Sequence, residues 1–551
     1  MVEDSVEGSA ERWLSHIRVL LPSVLDKAQA ASSGGPRGFA GRWKSVISKL
    51  ACVSPCLTDL SCHPFFSKNA LYREQLQSLA ATLAEVVELA EVGVSGEPAV
   101  GKLQLQSDLD SVAGKLELNL RDCRLLIKSG VLGDTAVSAP LDGSSSIVEL
   151  VARLQLGHPE AKHRAIDELL EAMRDDEKAV FAALGRNSVE ALVQLLSATA
   201  IKIREKAVTA ICLLAESGNY EVLLLCEGLL QPLIRMVESG SLVGREKALI
   251  SLQRLSMFSD TARAIASHSG IRPLIEVSQT EDSIVQVAAA GVLKNLSAVV
   301  ELRQSLADVG AIRVMIKLLD CSSLLGAKEY AAEFLQNLSS GCDNLRKTIV
   351  SEGGVRSLLA YLDGPLPQES AVAALRNLVA LISTDSLISL GVLPRLAHVL
   401  KNGSLGAQQA AASAICRISA AAEIKKSLLE HGCVPLLAKL LEAKSSGARE
   451  AAAQAIAGLM AHKPICREVK RDDKCVASLV QLLDPGPMNT AKKYSVSCLL
   501  AVSSSKKCRR IMISHGAIGY LKKLVDMEVP SSKRLLERLE KGMLRSLLGM
   551  K

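Results

Sequence analysis

Aromatic residues are scarce in this chain of 551 residues, where Phe, Trp and Tyr together make up only 3%. The apolar fraction is nevertheless 48%, so a core must be built mainly from Leu, Ala, Val and Ile. Sandwiches and barrels favour aromatic and β-branched residues, whereas closely packed helices suit this aliphatic composition. The composition therefore predicts an all-α protein.

Long apolar runs and targeting signals are also missing. No segment reaches 18 uninterrupted apolar residues, which argues against integral membrane association, and the start MVEDSVEGSAER is acidic and polar, unlike a secretory signal. The 14 cysteines form no regular framework, and several, such as Cys212 and Cys416, occupy apparent core positions. A net charge of +7 without a long basic run does not indicate nucleic-acid binding. We therefore expect a cytoplasmic or nuclear protein that is not secreted.

Signatures of catalysis and cofactor binding are weak. The segment GEPAVGKL (96–103) has the spacing of a phosphate-binding loop, but Leu103 stands where Ser or Thr would hold Mg²⁺. A possible zinc set consists of Cys52, Cys56, Cys62 and His63. Its spacing is loose and its last two members are adjacent, so buried thiols beside a helix break are the better interpretation. The sequence predicts no enzymatic activity, no metal and no cofactor.

Internal repetition is the feature that the chain does have. The segments GVLKNLSAVV (291–300), EFLQNLSSGC (333–342) and ALRNLVALIS (374–383) share the pattern Leu-x-Asn-Leu. The residue after the Asn recurs about every 41 residues, at Met173, Leu214, Leu255, Leu296, Leu338, Leu378, Ile418, Leu459 and Val502. We call these residues the first register mark of the repeats. A second register mark is also apolar and keeps the same period, at Val148, Val189, Leu230, Ile271, Ile312, Val355, Leu393, Val434, Val476 and Ile518. Two marks with one period indicate a repeat solenoid.

Each repeat resolves into three predicted helices. The first is short and ends at a glycine suited to a left-handed conformation, as in TARAIASHSG and IKKSLLEHG. The second often carries Pro in its first turn, at Pro232, Pro273, Pro394 and Pro435. The third starts with Arg-Glu or Lys-Glu and has apolar residues at i, i+3, i+4 and i+7. Because one repeat cannot bury its apolar faces alone, stacking into a right-handed superhelix is expected.

The repeat pattern, glycine–(Ile/Val)–x–x–Leu–(Val/Ile)–x–Leu–Leu followed by Ala–Leu–x–Asn–Leu–Ser, resembles the armadillo repeat. The resemblance covers residues 144–527, or about nine to ten repeats. HEAT repeats are the main alternative, but they usually have two helices, and the glycine-terminated short helix favours armadillo. The fold class that the resemblance implies is an all-α armadillo-repeat solenoid.

Residues 1–140 do not keep the period and are predicted to form an N-terminal helical bundle. Four helical stretches are expected, at 11–31, about 41–60, about 70–93 and about 104–129. The segment 103–132 is similar to the helical domain that precedes the armadillo repeats of many plant proteins, including U-box ubiquitin ligases. The linker TAVSAPLDGSSS (135–146) leaves no room for a U-box. The chain therefore resembles the plant armadillo-repeat-only relatives of those ligases, and their ligase activity is not carried over.

Residues 531–551 are predicted to form a basic amphipathic helix. The basic residues assigned to its solvent side are Lys533, Arg534, Arg538, Lys541 and Arg545. Leu544 follows Val502 by 42 residues, so the period favours a helix that caps the solenoid. Binding to an anionic membrane or to a partner is the alternative.

The armadillo resemblance implies a binding groove lined by the third helices. In that family the asparagine before the Leu holds an extended peptide by its backbone, which makes Asn295, Asn337 and Asn377 candidate partner-binding residues. The flanking equivalents Arg254 and Arg417 could pair with acidic side chains. Further candidates, two turns earlier on the same face, are Lys206, Lys247, Tyr330 and Tyr494. The structural alternative for the asparagines is helix-end capping or exposed filler.

Nuclear-import adaptors of the importin-alpha type place a tryptophan four residues before the groove asparagine. Those slots here hold Gly291, Glu333 and Ala373, so binding of basic cargo is not expected. We expect a non-enzymatic scaffold or adaptor in signalling that binds extended or helical segments of protein partners, and no nucleic acid. The alternatives are an accessory component of ubiquitin ligation or protein turnover, and a peripheral membrane adaptor that uses the C-terminal helix. The partner's identity and the oligomeric state stay open.

Overall fold

A computed structural model describes residues 9–34, 39–62, 66, 70–95, 102–129, 144–155, 159–176, 178, 180, 184, 186–218, 228–280, 282–365 and 369–547. His63 and residues 96–101 of the segment GEPAVGKL lie outside these ranges. Regular secondary structure within them is helical throughout, as the composition predicts. The chain divides into two compact units, Met1–Met236 with Gly240–Ser251 and Val237–Ser239 with Leu252–Lys551. The predicted boundaries near residues 140 and 530 stay predictions.

The first unit begins with a bundle of five helices. They are α1 (Ala10–Gly34), α2 (Ala40–Ala51), α3 (Val53–Ser61), α4 (Ala70–Ser95) and α5 (Lys102–Ser129). The four predicted stretches correspond to these helices, except that the second one breaks at Cys52 into α2 and α3. Trp43 is buried in the bundle core, whereas Trp13 is only half-buried and packs edge-on against the ring of His16 at 5.8 Å. Trp43 is therefore a core anchor of the bundle, and Trp13 is not.

A buried polar cluster joins α4 to α5 inside this bundle. The Asn119 side chain donates to Thr82 Oγ1 at 3.0 Å and accepts from Gln75 Nε2 at 2.9 Å and from Ser78 Oγ at 3.0 Å. Asn119, Gln75 and Thr82 are each at most 5% exposed. Because buried polar groups are costly unless they are paired, this cluster favours one register of α4 against α5.

The rest of the first unit contains the earliest repeats. Its helices are α6 (Ser144–Gln155), α7 (Pro159–Asp175), α8 (Arg186–Leu195) and α9 (Ile201–Glu216), with α10 (Leu230–Ser239) and α11 (Leu242–Leu255) running into the second unit. Helix α7 packs against α9, and α8 packs against both α6 and α9. The marks Met173 and Leu214 lie in the last turns of α7 and α9, and both are buried.

The second unit continues the three-helix pattern. The first helices of its repeats are α12 (Ser259–Ser267), α15 (Arg303–Asp308), α18 (Asp343–Ser351), α21 (Thr384–Ser389), α24 (Ala422–Glu430), α27 (Lys463–Arg471) and α30 (Lys506–Ser514). The second helices are α13 (Ile271–Val277), α16 (Ala311–Cys321), α19 (Gly354–Leu362), α22 (Val392–Asn402), α25 (Cys433–Leu440), α28 (Asp473–Gln481) and α31 (Ala517–Asp526). The third helices are α14 (Ser283–Ala298), α17 (Leu325–Ser339), α20 (Glu369–Leu378), α23 (Leu405–Ile418), α26 (Ser446–Leu459) and α29 (Lys492–Val502).

The predicted register marks are core positions of these repeats. All nine residues of the first mark, Met173 to Val502, are buried, each in the last turn of its helix. In the second mark, Leu230 and Ile518 are half-buried, and the side chain of Val148 lies outside the described ones. The seven other residues of that mark are buried. The 41-residue period is therefore the period at which one aliphatic side chain enters the core from each repeat.

Glycine allows a sharp turn between the first and second helices. Gly310, Gly353, Gly391, Gly432 and Gly516 all have φ between 66° and 85°, the left-handed region predicted from their position. The segment TARAIASHSG differs, because Ser269 takes the left-handed conformation (φ 61°) and Gly270 does not. The preceding His268 Nδ1 donates to the Ala264 carbonyl oxygen at 2.7 Å, a contact that closes the end of α12.

The last described helix, α32 (Ser532–Leu547), packs against α29, α30 and α31. Leu535 and Leu539 on its inner side are fully buried. Arg538 is exposed, but its Nη1 donates to Ser503 Oγ at 3.1 Å at the end of α29. These contacts support a capping role and leave the two leucines unavailable to a lipid surface. The side chains of Leu544 and Arg545 lie outside the described ones.

Membrane-spanning potential is limited to one helix pair in the part of the chain that the structure describes. No single helix there is both long and apolar enough to cross a membrane. By length and composition alone, Ser283–Ala298 and Val300–Asp308 together could do so, with a bend of 109° between them.

The cysteines in the described ranges are free thiols that differ widely in exposure. Cys212 is buried as predicted, but Cys416 is only half-buried. Of the three cysteines near residue 56, Cys56 is buried, whereas Cys52 and Cys62 are exposed. The prediction of buried thiols at this helix break is therefore right for Cys56 alone.

Native-state alkylation should separate the cysteines into two classes. Burial raises the pKa of the Cys212, Cys433 and Cys475 thiols to about 12, so the reactive thiolate is rare at neutral pH. We expect iodoacetamide to modify the exposed Cys52, Cys62, Cys321 and Cys342 in the native protein. The three buried thiols should react only after denaturation, as measured by peptide mass spectrometry. Rapid native labelling of Cys433 or Cys475 would contradict the described packing of the repeats.

Candidate partner-binding surface

Consecutive third helices of the second unit lie side by side. Helix α14 packs against α17, α17 against α20, α20 against α23, and α23 against α26. Their apolar residues point into the repeats, and one strip of each helix carries polar side chains, most of them half-buried or exposed. We call the combined strips the third-helix face, which carries Lys294, Asn295, Gln336, Asn337, Arg376, Asn377 and Arg417. Five of the predicted partner-binding residues lie on these helices: Asn295, Tyr330, Asn337, Asn377 and Arg417. The other four lie on other third helices: Lys206 on α9, Lys247 and Arg254 on α11, and Tyr494 on α29.

The three asparagines on this face form a ladder between repeats. Asn295 Nδ2 donates to Ser256 Oγ at 2.9 Å, and it also donates to the Gln253 carbonyl oxygen at 2.8 Å. In the same way Asn337 Nδ2 donates to Ser297 Oγ at 2.9 Å. Asn377 Nδ2 donates to Ser339 Oγ at 3.2 Å. Each asparagine therefore links its third helix to the serine that ends the preceding third helix.

This ladder changes the interpretation of the asparagines. At least one N–H of each amide is already used inside the chain, so the asparagines are not exposed filler. Asn295 also caps a helix end, because it donates to the Gln253 carbonyl oxygen in the last turn of α11. Asn377 is only 7% exposed, so it is mainly a structural residue. The Oδ1 atoms of Asn295 and Asn337 accept no hydrogen bond from any described residue, and these atoms alone stay open to a partner's N–H.

A sequence signal for the ladder exists in the pairing of slots across repeats. Each asparagine follows a repeat that ends in serine, at Ser256, Ser297 and Ser339, although Ser419 is followed by Gly458 at the equivalent position. The arginine slots follow repeats that end in Ala215 and Val379, which cannot accept a hydrogen bond from a side chain at that slot. Reading two repeats together would thus have predicted the structural role that a single repeat does not reveal.

The region around Tyr330 is closed by contacts within the chain. Gln253 Nε2 donates to the Tyr330 hydroxyl at 3.1 Å, and the Gln253 side chain occupies the space that a Cβ at Gly291 would need. Lys294 lies 5.4 Å from the centre of the Tyr330 ring, and its Nζ is 3.2 Å from Glu333 Oε2. Gly291 stands where importin-alpha-type adaptors have a tryptophan, and the space beside it is filled by Gln253 from the preceding repeat.

The other predicted polar candidates also have partners in their own unit. Lys206 Nζ is 2.5 Å from Asp167 Oδ1, and Lys247 Nζ is 3.3 Å from Glu246 Oε1, all in the first unit. The half-buried ring of Tyr494 is 4.8 Å from Lys493 Nζ. We therefore rank these side chains below the arginines as partner-binding residues.

Three arginines near the C-terminal ends of third helices lack an acidic partner. Arg254 and Arg417 are exposed and form no hydrogen bond or ion pair with any described residue. Arg376, which the sequence analysis missed, is half-buried, and its one side-chain hydrogen bond to a described residue is from Nε to Asn377 Oδ1 at 3.3 Å. We call the position directly before the first register mark of a third helix the Asn slot. Arg376 stands directly before the Asn slot, as Lys294 does two repeats earlier. A basic residue at this position was the sequence signal that could have identified Arg376.

An apolar edge runs along the opposite ends of the same helices. Ile284, Leu325 and Leu405 stand in the first turns of α14, α17 and α23, and their exposed fractions are 56%, 53% and 41%. With a rise of about 1.5 Å per residue, this edge lies roughly 16 to 18 Å from the row of arginines and asparagines. The third-helix face therefore has one aliphatic edge and one basic, polar edge.

Comparison with known proteins identifies the fold but not a partner. A family model described as a domain of unknown function (DUF7032) matches residues 16–131, which comprise most of the N-terminal bundle. No curated protein matches the chain. A designed armadillo repeat protein is 24% identical and has a TM-score of 0.39, covering 42% of this chain and 99% of its own.

Two solved structures each cover 72% of this chain. An engineered protein from a structural genomics consortium is 25% identical, with a TM-score of 0.61 over 72% of this chain and 98% of its own. A structure from work on a phosphorylation switch between cadherin and β-catenin is 14% identical, with a TM-score of 0.51 over 72% of this chain and 99% of its own. These neighbours are armadillo-repeat solenoids, and the present chain has the same all-α fold.

Proposed function

We propose that this chain is a non-enzymatic protein-binding scaffold that holds a segment of a partner against the third-helix face. The observation that carries the proposal is the row of side-by-side helices α14 to α26, whose common surface keeps polar and basic side chains. Arginine is enriched at protein interfaces, and the side chains of Arg254 and Arg417 have no hydrogen-bond or ion-pair partner among the described residues. We also propose that this binding takes place in signalling.

The chemistry of the face favours an amphipathic segment. The aliphatic edge of Ile284, Leu325 and Leu405 offers contact area, and the unpaired Arg254 and Arg417 offer charge. Apolar side chains on one side of the segment and acidic side chains on the other would match both edges. A basic segment would be repelled, in agreement with the missing tryptophans.

A cavity beside Asn295 provides a place for one side chain of the segment. Its volume is about 290 Å³, and its lining includes Asn295, Ala298, Met257 and Val300. Met257 and Val300 are 64% and 65% exposed. An aliphatic side chain seated there would cover both residues, while the free Oδ1 of Asn295 would accept a backbone N–H from the segment.

Site-specific photo-crosslinking tests this proposal directly. The photoreactive residue p-benzoylphenylalanine is placed at Ser413 on α23 and, as a matched control, at the exposed Lys439 on the second helix α25. After irradiation in native extract, we expect crosslinks at position 413 to one recurring partner segment. A synthetic peptide with the sequence of that segment should then compete with the crosslink.

The control position decides what the crosslinks mean. Position 439 lies on α25, outside the third-helix face, and should give none of the same products. Equal crosslinking at both positions, or products at 413 that no single peptide displaces, would contradict a binding role for the third-helix face.

A further inference from the structure

Arg376 and Arg417 stand on neighbouring third helices that pack against each other. Arg376 precedes the Asn slot of α20, and Arg417 occupies that slot in α23. Neither guanidinium group forms an ion pair with any described carboxylate. The residues four positions before the Asn slots of these helices are Ala373 and Ser413, which are small and uncharged. The two cations therefore share a patch of the face without a counter-ion.

An earlier pair of repeats shows the same geometry in a neutralised form. Lys294 stands two repeats earlier at the position equivalent to Arg376. Its Nζ lies 3.2 Å from Glu333 Oε2 on α17, the third helix of the next repeat. The residue that corresponds to Glu333 beside Arg376 is Ser413, and its hydroxyl donates to the Gln409 carbonyl oxygen of its own helix at 2.9 Å. The chain thus supplies an acid beside Lys294 and omits it beside Arg376.

The electrostatics of the pair agree with this geometry. Burial lowers the pKa of Arg376, and the nearby positive charge of Arg417 lowers it further. Partial negative charge at the C-terminal ends of α20 and α23 offsets part of the repulsion in the free protein. A bound anion would replace this weak compensation with direct charge-assisted hydrogen bonds.

We propose that Arg376 and Arg417 together bind the phosphate group of a phosphorylated serine or threonine in the partner segment. This inference rests on the proposed function and names the chemistry at one point of the third-helix face. A carboxylate carries one negative charge, whereas a phosphate monoester carries about −1.5 to −2 at neutral pH and three acceptor oxygens. Only the phosphate monoester approaches neutralisation of two guanidinium groups, each of which can donate two parallel hydrogen bonds.

Three fluorescein-labelled peptide mixtures test the proposal by anisotropy titration against the full chain. Each mixture has degenerate flanking positions and a central residue fixed as phosphoserine, serine or glutamate. Since charge-assisted hydrogen bonds to both arginines form only with the phosphate, we expect the phosphoserine mixture to bind about tenfold more tightly than the serine mixture. The double variant Arg376→Gln/Arg417→Gln should lose this preference, whereas Arg356→Gln, at an exposed position of the second helix α19, should keep it.

Ser413 supplies a sharper matched pair. Ser413→Glu would place a carboxylate beside Arg376 as Glu333 stands beside Lys294, and should abolish the preference for phosphoserine. Ser413→Gln has nearly the same size without the charge and should keep it. Equal effects of these two variants would overturn the proposal, as would equal binding of the phosphoserine and serine mixtures or binding of none. A glutamate mixture that binds as tightly as phosphoserine would assign the site to an acidic segment instead.

Failure here can be distinguished from failure of the scaffold role. If peptides bind without a preference for phosphate while crosslinks at position 413 persist, the phosphate site is wrong and the third-helix face still binds a partner. If crosslinks at position 413 are absent as well, the scaffold proposal is wrong too.

Discussion

Replacing Leu338 with alanine should destabilise the second unit by about 2 to 5 kcal/mol, the cost of deleting a fully buried leucine side chain and leaving a cavity. Leu338 is the register residue of α17 and is 0% exposed. Helices α14 and α20 both pack against α17, so a cavity there weakens two repeat interfaces. Urea unfolding monitored by far-ultraviolet circular dichroism measures the shift of the transition midpoint.

The same substitution at the other end of the same helix is the control. Leu325 in the first turn of α17 is 53% exposed, so Leu325→Ala should change the free energy of unfolding by no more than about 0.5 kcal/mol. Equal destabilisation by both variants would mean that the 41-residue mark is not a core position. The comparison also tests the aliphatic edge. If Leu325→Ala leaves the free energy of unfolding nearly unchanged, the Leu325 side chain is not needed for folding and is available for contact with a partner.

Removing the asparagine ladder should also destabilise the protein. The triple variant Asn295→Ala/Asn337→Ala/Asn377→Ala deletes four hydrogen bonds between repeats and should cost about 3 kcal/mol, at about 1 kcal/mol for each side chain. Coupling between neighbouring repeats makes the sum approximate. The urea midpoint again measures the effect. A loss of partner binding in this variant would therefore not identify the asparagines as contact residues.

Arginines at the equivalent slots are the matched control for the ladder. Arg254→Ala/Arg417→Ala truncates two exposed side chains that form no hydrogen bond with described residues. The double variant should stay within about 1 kcal/mol of the parent, since it loses only favourable charge at two helix ends. If the asparagine variant were equally benign, the ladder would contribute nothing to stability. Groove contact would then again be the best explanation for the asparagines.

The repeat architecture could be predicted from the sequence because periodic burial leaves a periodic record. A repeat must place an aliphatic side chain such as Leu296 or Leu338 at the same point of each core, and the chain retains that spacing of about 41 residues. The turn before the second helix leaves a glycine for a similar reason, because a positive φ is strained for other residues. Ser269 is the exception in residue type but not in position, because it stands two residues before Ile271 of the second register mark, where five other repeats have the glycine.

The candidate site was predictable in location but not in detail. Periodicity places Asn295, Asn337 and Arg417 on one strip of the third helices. It does not say which side chains are already satisfied by the neighbouring repeat. The partner of Asn295 is Ser256, which lies 39 residues earlier and becomes a neighbour only when two third helices pack together.

By itself the sequence determined the helical class, the period, the core marks and the strip of each third helix that stays polar, because these depend on spacing within one repeat. Only the tertiary structure decided which polar groups on that strip remain open. Packing pairs Asn337 with Ser297 and Lys294 with Glu333, and it leaves Arg376 and Arg417 on adjacent helices without an ion pair to any described carboxylate. Hydrogen bonds and ion pairs act over a few ångströms, so availability for a partner depends on contacts between repeats and not on their order along the chain.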